Sequence, residues 1–332
     1  MTSPGPDGAS IGPVTEQRNP RTSEIDVLPT LEVLRLLNSE DARVPPAVEK
    51  ILPVLAKLVD AAVDRTRRGG RLHYFGAGTS GRIAMLDAAE LPPTFGVEPG
   101  FATAHLAGGE NAARLAVENA EDDLDAGRSA AQDLGPNDIA IGVSASGSAP
   151  YVAAALKRAH EKGALTALVS SNPAAPLGEL VDFHLAADTG PEAVTGSTRL
   201  KAGTAAKLML NGFSTALMVR LGRSYSNMMV DMVPTNQKLR GRLVRILVQA
   251  TGADEDSSRE ALSAADDNLK VALVAMLSGS PTRTAREALE QTGGQVRSAM
   301  ALLGTGAAPA GAAPAGAAPA GAAPAGAAPA GN

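Results

Sequence analysis

Arg71-Leu-His-Tyr-Phe-Gly-Ala-Gly-Thr-Ser-Gly-Arg82 is the stretch that decides the fold class. Its first five residues, Arg71 to Phe75, read as a short strand. Gly76 to Arg82 then form a small-residue turn that opens an apolar helix ending near Glu90, because Pro92 and Pro93 should not continue it. The same order recurs downstream. Strand patterns occupy residues 101–106, 139–143, 165–170 and 183–187, and helical patterns fall at 111–126, 151–161 and 202–221. Strands alternating with helices at this spacing imply βαβ units and a parallel sheet. Upstream, residues 45–68 carry Val48, Ile51, Leu55, Leu58 and Val59 at helical spacing, with Pro45 and Pro46 suited to a helix start. The expected fold class is α/β: a parallel sheet flanked by helices, with N-terminal helices and a small C-terminal helical module.

Outward from that sheet, the organisation follows composition. Residues 1–14 read as a disordered leader, 15–60 as an N-terminal helical segment, 61–225 as the sheet domain and 226–252 as a helical connector. Residues 253–303 read as a small, UBA-like helical module whose last two helices are punctuated by Gly293-Gly294. Residues 304–332 form a tail in which Ala-Ala-Pro-Ala-Gly repeats; proline at every fifth residue blocks a regular helix there.

Composition excludes several functions. The formal charge is −5, and the one basic stretch, Arg240, Arg242 and Arg245, reads as a solvated helix face, so no nucleic-acid partner is expected. Aromatic residues are 2% of the chain, too few for stacking platforms, so a sugar here would meet a polar pocket. With no Cys and four His in no ligand spacing, no metal site and no cofactor are expected. No apolar segment suits a signal peptide or a membrane span, which makes the cytoplasm the expected location.

Three loops could hold an anion. In the first, Gly76, Gly78 and Gly81 allow close approach of a ligand, and Thr79, Ser80 and the following helix N-terminus offer donors. The GxGxxG spacing alone is weak evidence for a dinucleotide, and no acidic residue follows at the end of a second strand. In the second, Ser144, Ser146 and Ser148 alternate with small residues between a strand and a helix, forming a phosphate cradle without lysine or metal; an ordinary serine-rich helix cap is the plainer reading. The third contains Glu192, Ser197, Arg199 and Lys201 just before the longest helix, which also reads as a charged, capped helix start.

Together the three loops resemble the sugar isomerase (SIS) domain. Asp87-Ala-Ala-Glu-Leu-Pro-Pro-Thr-Phe-Gly96 and the run Glu192 to Lys207 narrow the resemblance, as do Thr15-Glu-Gln-Arg-Asn-Pro20 and Asn227-Met-Met-Val-Asp231. They are similar to the N-acetylmuramic acid 6-phosphate etherase family and its relative, the glucokinase regulatory protein. Leu91 stands where the family often has Cys. The resemblance implies a lyase that binds a phosphorylated amino sugar through Thr79, Ser80, Ser144, Ser146, Ser148, Glu192, Ser197, Arg199 and Lys201. It also implies a homodimer.

Two carboxylates carry the implied chemistry. Glu90 is expected at a helix end beside Leu91 and Phe95, a setting that suits a general acid, although a surface Glu at a helix end is common. Glu121 is expected to share a helix face with Glu118, a pattern that is usually just solvated. The resemblance places the family's catalytic acid at Glu90 and a second essential carboxylate at Glu121. One group must remove the C2 proton and the other protonate the departing lactyl oxygen. The alternatives are a non-catalytic sugar-phosphate sensor, and an aldose–ketose isomerase that leaves the ether intact.

Overall fold

The computed structural model describes residues 13–232 and 237–305. The tail repeat and nearly all of the expected leader lie outside them. Three short 3-10 turns, Val14–Glu16, Pro20–Thr22 and Ile25–Val27, lead into α1 (Thr30–Asp41), α2 (Val44–Glu49) and α3 (Leu52–Arg67). The expected single helix over 45–68 is therefore two helices, broken just before Pro53, which sits in the first turn of α3 where its missing N–H costs nothing.

The sheet domain follows as β1 (Leu72–Gly76), α4 (Gly78–Phe95), β2 (Ala102–Leu106), α5 (Leu124–Ala130), β3 (Ile139–Val143), α6 (Pro150–Glu161), β4 (Leu165–Ser170), β5 (Phe183–Ala186) and α7 (Lys201–Arg220). The five strands pair in parallel in the order β2-β1-β3-β4-β5. All five expected strands are present, and the expected fold class holds. Alternation along β3 divides the core. Ile139, Ile141 and Val143 pack with α2, α3, α4 and α7, whereas Ala140 faces Tyr151, Val152 and Leu156 of α6. Chain order reverses between β1 and β3, so a crevice opens beyond the carboxyl ends of these two central strands.

Two further expectations fail. α4 does not stop at Glu90: it runs on through Pro92 and Pro93 to Phe95, and Gly96, left-handed at φ 60°, closes it by donating its N–H to Pro92 O at 2.9 Å. Leu91 and Phe95 are both buried in the core, and that packing holds the last turn despite two missing donors. Residues 111–126 do not form one helix. They fold as 3-10 turns at Glu110–Ala113 and Ala120–Asp122 before α5 begins. Leu115 and Val117 are 68% and 42% exposed, so no buried face supports a helix, and Asn119 at φ 60° breaks the run.

A hairpin, β6 (Ser224–Tyr225) with β7 (Met228–Met229), was not expected from sequence. It precedes α8 (Gln237–Thr251), α9 (Glu255–Ala264), α10 (Leu269–Ser278), α11 (Thr282–Gln291) and α12 (Val296–Leu302). Leu243 and Leu247 of α8 share one core with Leu273, Leu289 and Met300, so connector and C-terminal module are packed together. Gly293 and Gly294, both at positive φ, separate α11 from α12. No described helix is long and apolar enough to cross a membrane.

Candidate active site

The crevice beyond β1 and β3 holds a cavity of about 320 Å³. Ala77, Gly78, Thr79 and Ser80 line it from the first loop, and Val143, Ser144, Ala145 and Ser146 from the second. Glu121, Thr198, Thr15 and Glu16 complete its polar lining. A cavity of about 770 Å³ lies elsewhere, beside edge strand β2, and is lined by Met85, His105, Glu118 and Tyr151. We assign the site to the smaller one because both hydroxyl-bearing loops and the sheet's crevice converge there.

Each wall follows from local chemistry. α4 begins at Gly78 behind Ala77, which has no side chain to cap it, so the first N–H groups of an 18-residue helix face the cavity without an intrahelical partner. Gly76 and Gly81 pack so closely that a Cβ on Gly76 would lie 2.7 Å from Gly81 N. In the second loop, Ser144 is buried and its Oγ accepts the Gly147 N–H at 3.1 Å. Gly147 turns the chain at φ 67°, and a Cβ there would lie 2.3 Å from Ala175 Cβ. Ser146 Oγ and Ser148 Oγ are hydrogen-bonded at 2.8 Å, and Asn172 Nδ2 donates to Ser146 O at 3.0 Å. Ser148 itself is exposed and stands behind Ser146, outside the lining.

Glu121 reaches the cavity by a route the helical reading did not contain. The left-handed Asn119 turns the chain, the 3-10 turn Ala120–Asp122 presents Glu121, and Asp123 then caps α5 by accepting the Ala126 N–H at 2.8 Å. Glu118 and Glu121 consequently line different cavities and do not share a face. Among the described residues the lining holds six hydroxyl side chains and two carboxylates, Glu16 and Glu121, and no lysine or arginine. An anion here would be held by neutral donors and a helix terminus.

The remaining expected residues lie elsewhere. Glu90 is exposed on α4, twelve residues along from Gly78, or roughly 18 Å of helix. The helix-end setting expected for it is absent. Glu192 is fully buried and accepts the N–H groups of Lys201 at 3.0 Å and Ala202 at 2.9 Å, so it serves the first turn of α7. Burial pushes its carboxyl up, opposed by those two bonds. Lys201 is fully buried against Glu40 at 2.6 Å. Ser197 and Arg199 flank Thr198, which alone of the three lines the cavity. Sequence reasoning assigned no role to Thr15, Glu16 and Thr198. The Thr15 to Pro20 motif was the available signal, a polar, specific run next to an otherwise featureless leader.

A doubly wound parallel sheet with hydroxyl-rich loops at its reversal point has the architecture expected of the SIS-domain class. The family model described as glucokinase regulatory protein N-terminal SIS domain matches residues 54–160. A protein of Thermobifida fusca (strain YX) named N-acetylmuramic acid 6-phosphate etherase is 56% identical over 263 residues, 79% of this chain and 86% of that protein. One of the same name from Pectobacterium atrosepticum is 48% identical over 289 residues, covering 86% and 95%. A phosphoheptose isomerase structure from Francisella tularensis aligns with 58% of this chain and 100% of its own, at 19% identity and a TM-score of 0.46. The chain belongs to the N-acetylmuramic acid 6-phosphate etherase family.

Proposed function

We propose that this chain cleaves the D-lactyl ether of N-acetylmuramic acid 6-phosphate, giving N-acetylglucosamine 6-phosphate and D-lactate in amino-sugar recycling. The observation that carries the reading is the convergence of Glu121 with Thr79, Ser80, Ser144 and Ser146 in one cavity of a chain whose relatives bear that name. The phosphoryl group sits against the Ser144–Ser146 loop and the start of α4, where hydroxyls and helix N–H groups match a dianion. In the open-chain sugar the C1 aldehyde acidifies the C2 proton. Glu121 removes it, the C3–O bond breaks, and the lactyl oxygen leaves with a proton supplied by the acid. Water then adds at C3 of the unsaturated aldehyde and C2 takes back a proton.

Glu90 is the acid in this reading, and its position requires a second copy of the chain. It is too far along α4 to serve its own cavity, but it shares a helix face with Leu86, which is 54% exposed. A homodimer docked on this face would let Glu90 act in its partner's site. Glu192 and Lys201 act indirectly, by holding the start of α7 that follows Thr198. The reading also places the protein in the cytoplasm, with no nucleic-acid partner.

The test follows lactate release and solvent deuterium at C2 in Glu90→Gln and Glu121→Gln. Lactate release should fall by about 10²–10⁴ in Glu90→Gln while deuterium exchange survives; Glu121→Gln should lose both. Mixing the two inactive variants should restore partial activity if subunits share sites. Near-normal lactate release in both would remove the carboxylate assignment. Sugar-phosphate binding without any lactate release from the parent chain would favour the sensor.

A further inference from the structure

The N-terminal segment before α1 is built into the cavity wall by bonds that reach deep into the domain. Thr15 O accepts the Gly196 N–H at 3.2 Å, and Thr22 Oγ1 donates to Ala193 O at 2.8 Å. Asn19 Nδ2 donates to Pro191 O at 3.2 Å and to Glu40 Oε2 at 2.8 Å. Arg21 and Lys201 both pair with that same Glu40. This strap carries two side chains into the lining that have no structural work. Thr15 is 1% exposed, and its Oγ1 has no hydrogen-bond partner. A buried hydroxyl left unpaired is destabilising, and such groups are rare unless something else occupies the site. Glu16 also lines the cavity, and among the described residues its carboxylate makes no hydrogen bond or ion pair. Gly196 makes room for it: a Cβ there would lie 2.8 Å from Glu16 Oε2.

We propose that Thr15 and Glu16 contact the bound sugar, with Thr15 Oγ1 hydrogen-bonding to it and the Glu16 carboxylate accepting from its hydroxyl or amide N–H groups. This rests on the sugar-phosphate reading above. Among the described residues the lining contains no cation, so a Glu16 carboxylate beside the phosphoryl group would be repelled. In this proposal Glu16 meets the neutral, donor-bearing part of the ligand rather than its phosphoryl group. The strap then acts as a recognition element for the sugar, while the serine loop recognises the phosphate.

The experiment titrates N-acetylglucosamine 6-phosphate and, separately, inorganic phosphate into the full chain and its Thr15→Val, Thr15→Ser and Glu16→Gln variants by calorimetry, with KM, kcat and melting temperature measured in parallel. Thr15→Val and Glu16→Gln should each weaken sugar-phosphate binding by about tenfold or more. Thr15→Ser should bind like the parent. Phosphate affinity should be unchanged in Glu16→Gln, and Thr15→Val should melt no lower than the parent, since its unpaired hydroxyl is gone. Parent-like sugar-phosphate affinity in both Thr15→Val and Glu16→Gln overturns this proposal alone. A parent chain that binds no phosphorylated amino sugar overturns the proposal together with the functional reading.

Discussion

Glu40→Gln should be among the most damaging single substitutions in the sheet domain, although the side chain lies outside the cavity. Glu40, in the last turn of α1, is 2% exposed and accepts from Asn19 Nδ2 at 2.8 Å, Lys201 Nζ at 2.6 Å and the Arg21 guanidinium. Lys201 is fully buried at the first residue of α7, where the positive end of the helix dipole already disfavours a cation. Removing the Glu40 charge strands that ammonium. The expected loss is about 3–5 kcal/mol, or roughly a 10 °C fall in melting temperature for a domain of this size. Glu40→Gln combined with Lys201→Met removes both charges and should recover much of the loss. The pH dependence has a definite sign. The Arg21 hydrogen bond, with Lys201 and Asn19 adding and burial opposing, holds the Glu40 carboxyl at about 2, against an ordinary 4.5. Its folded value is depressed, so its stabilisation is complete above pH 4.5 and is lost as pH falls from there through 2. The margin of parent over Glu40→Gln should therefore shrink by roughly 3 kcal/mol across that window. Urea unfolding of both proteins from pH 7 to pH 2 measures it. A variant within about 1 kcal/mol of the parent at pH 7, or a margin that does not narrow in acid, would refute the reasoning.

Two further outcomes follow from particular contacts. Gly147→Ala should cost about 1–3 kcal/mol in denaturant unfolding and weaken phosphate binding, because the new Cβ meets Ala175 Cβ at 2.3 Å on a left-handed backbone; unchanged stability would mean the loop relaxes freely. His105, whose Nε2 lies 3.0 Å from His73 Nδ1 and whose ring stacks on Phe75, is pushed down to about 4, first by burial and then by the neighbouring His73 charge. Its ring resonances should not titrate until near pH 4. Its share of stability should be complete above pH 6.5 and fall between 6.5 and 4 as the unfolded chain takes up the proton. A midpoint near 6.5 would show the ring to be solvated.

The sheet was legible because its signals are local. A parallel strand buried on both faces reads as a mainly apolar run; Ile139–Val143 is one, and Leu165–Ser170 is another, interrupted by Thr166. The two serine- and glycine-rich loops were legible for the same reason, since each lies between a strand and the helix after it. The errors came where packing overrode local preference. Pro92 and Pro93 predict a helix end, yet the buried Leu91 and Phe95 carry α4 past them. The 111–126 pattern predicts a helix, yet Leu115 and Val117 stay 68% and 42% exposed, too little burial to sustain one.

By itself, the chain's order of apolar runs and small-residue loops determined a parallel α/β sheet with hydroxyl-rich loops at its strand ends. Propensity and periodicity act over a few residues and need no partner. Only the tertiary structure decided which side chains meet in that site. It brought Glu121 in on a left-handed turn and left Glu90 far along α4. It also laid Thr15 and Glu16 across the crevice from a segment more than fifty residues upstream of Gly76. Those placements depend on strand order and on buried pairs such as Glu40 with Lys201, which join residues 161 positions apart and which no local pattern encodes.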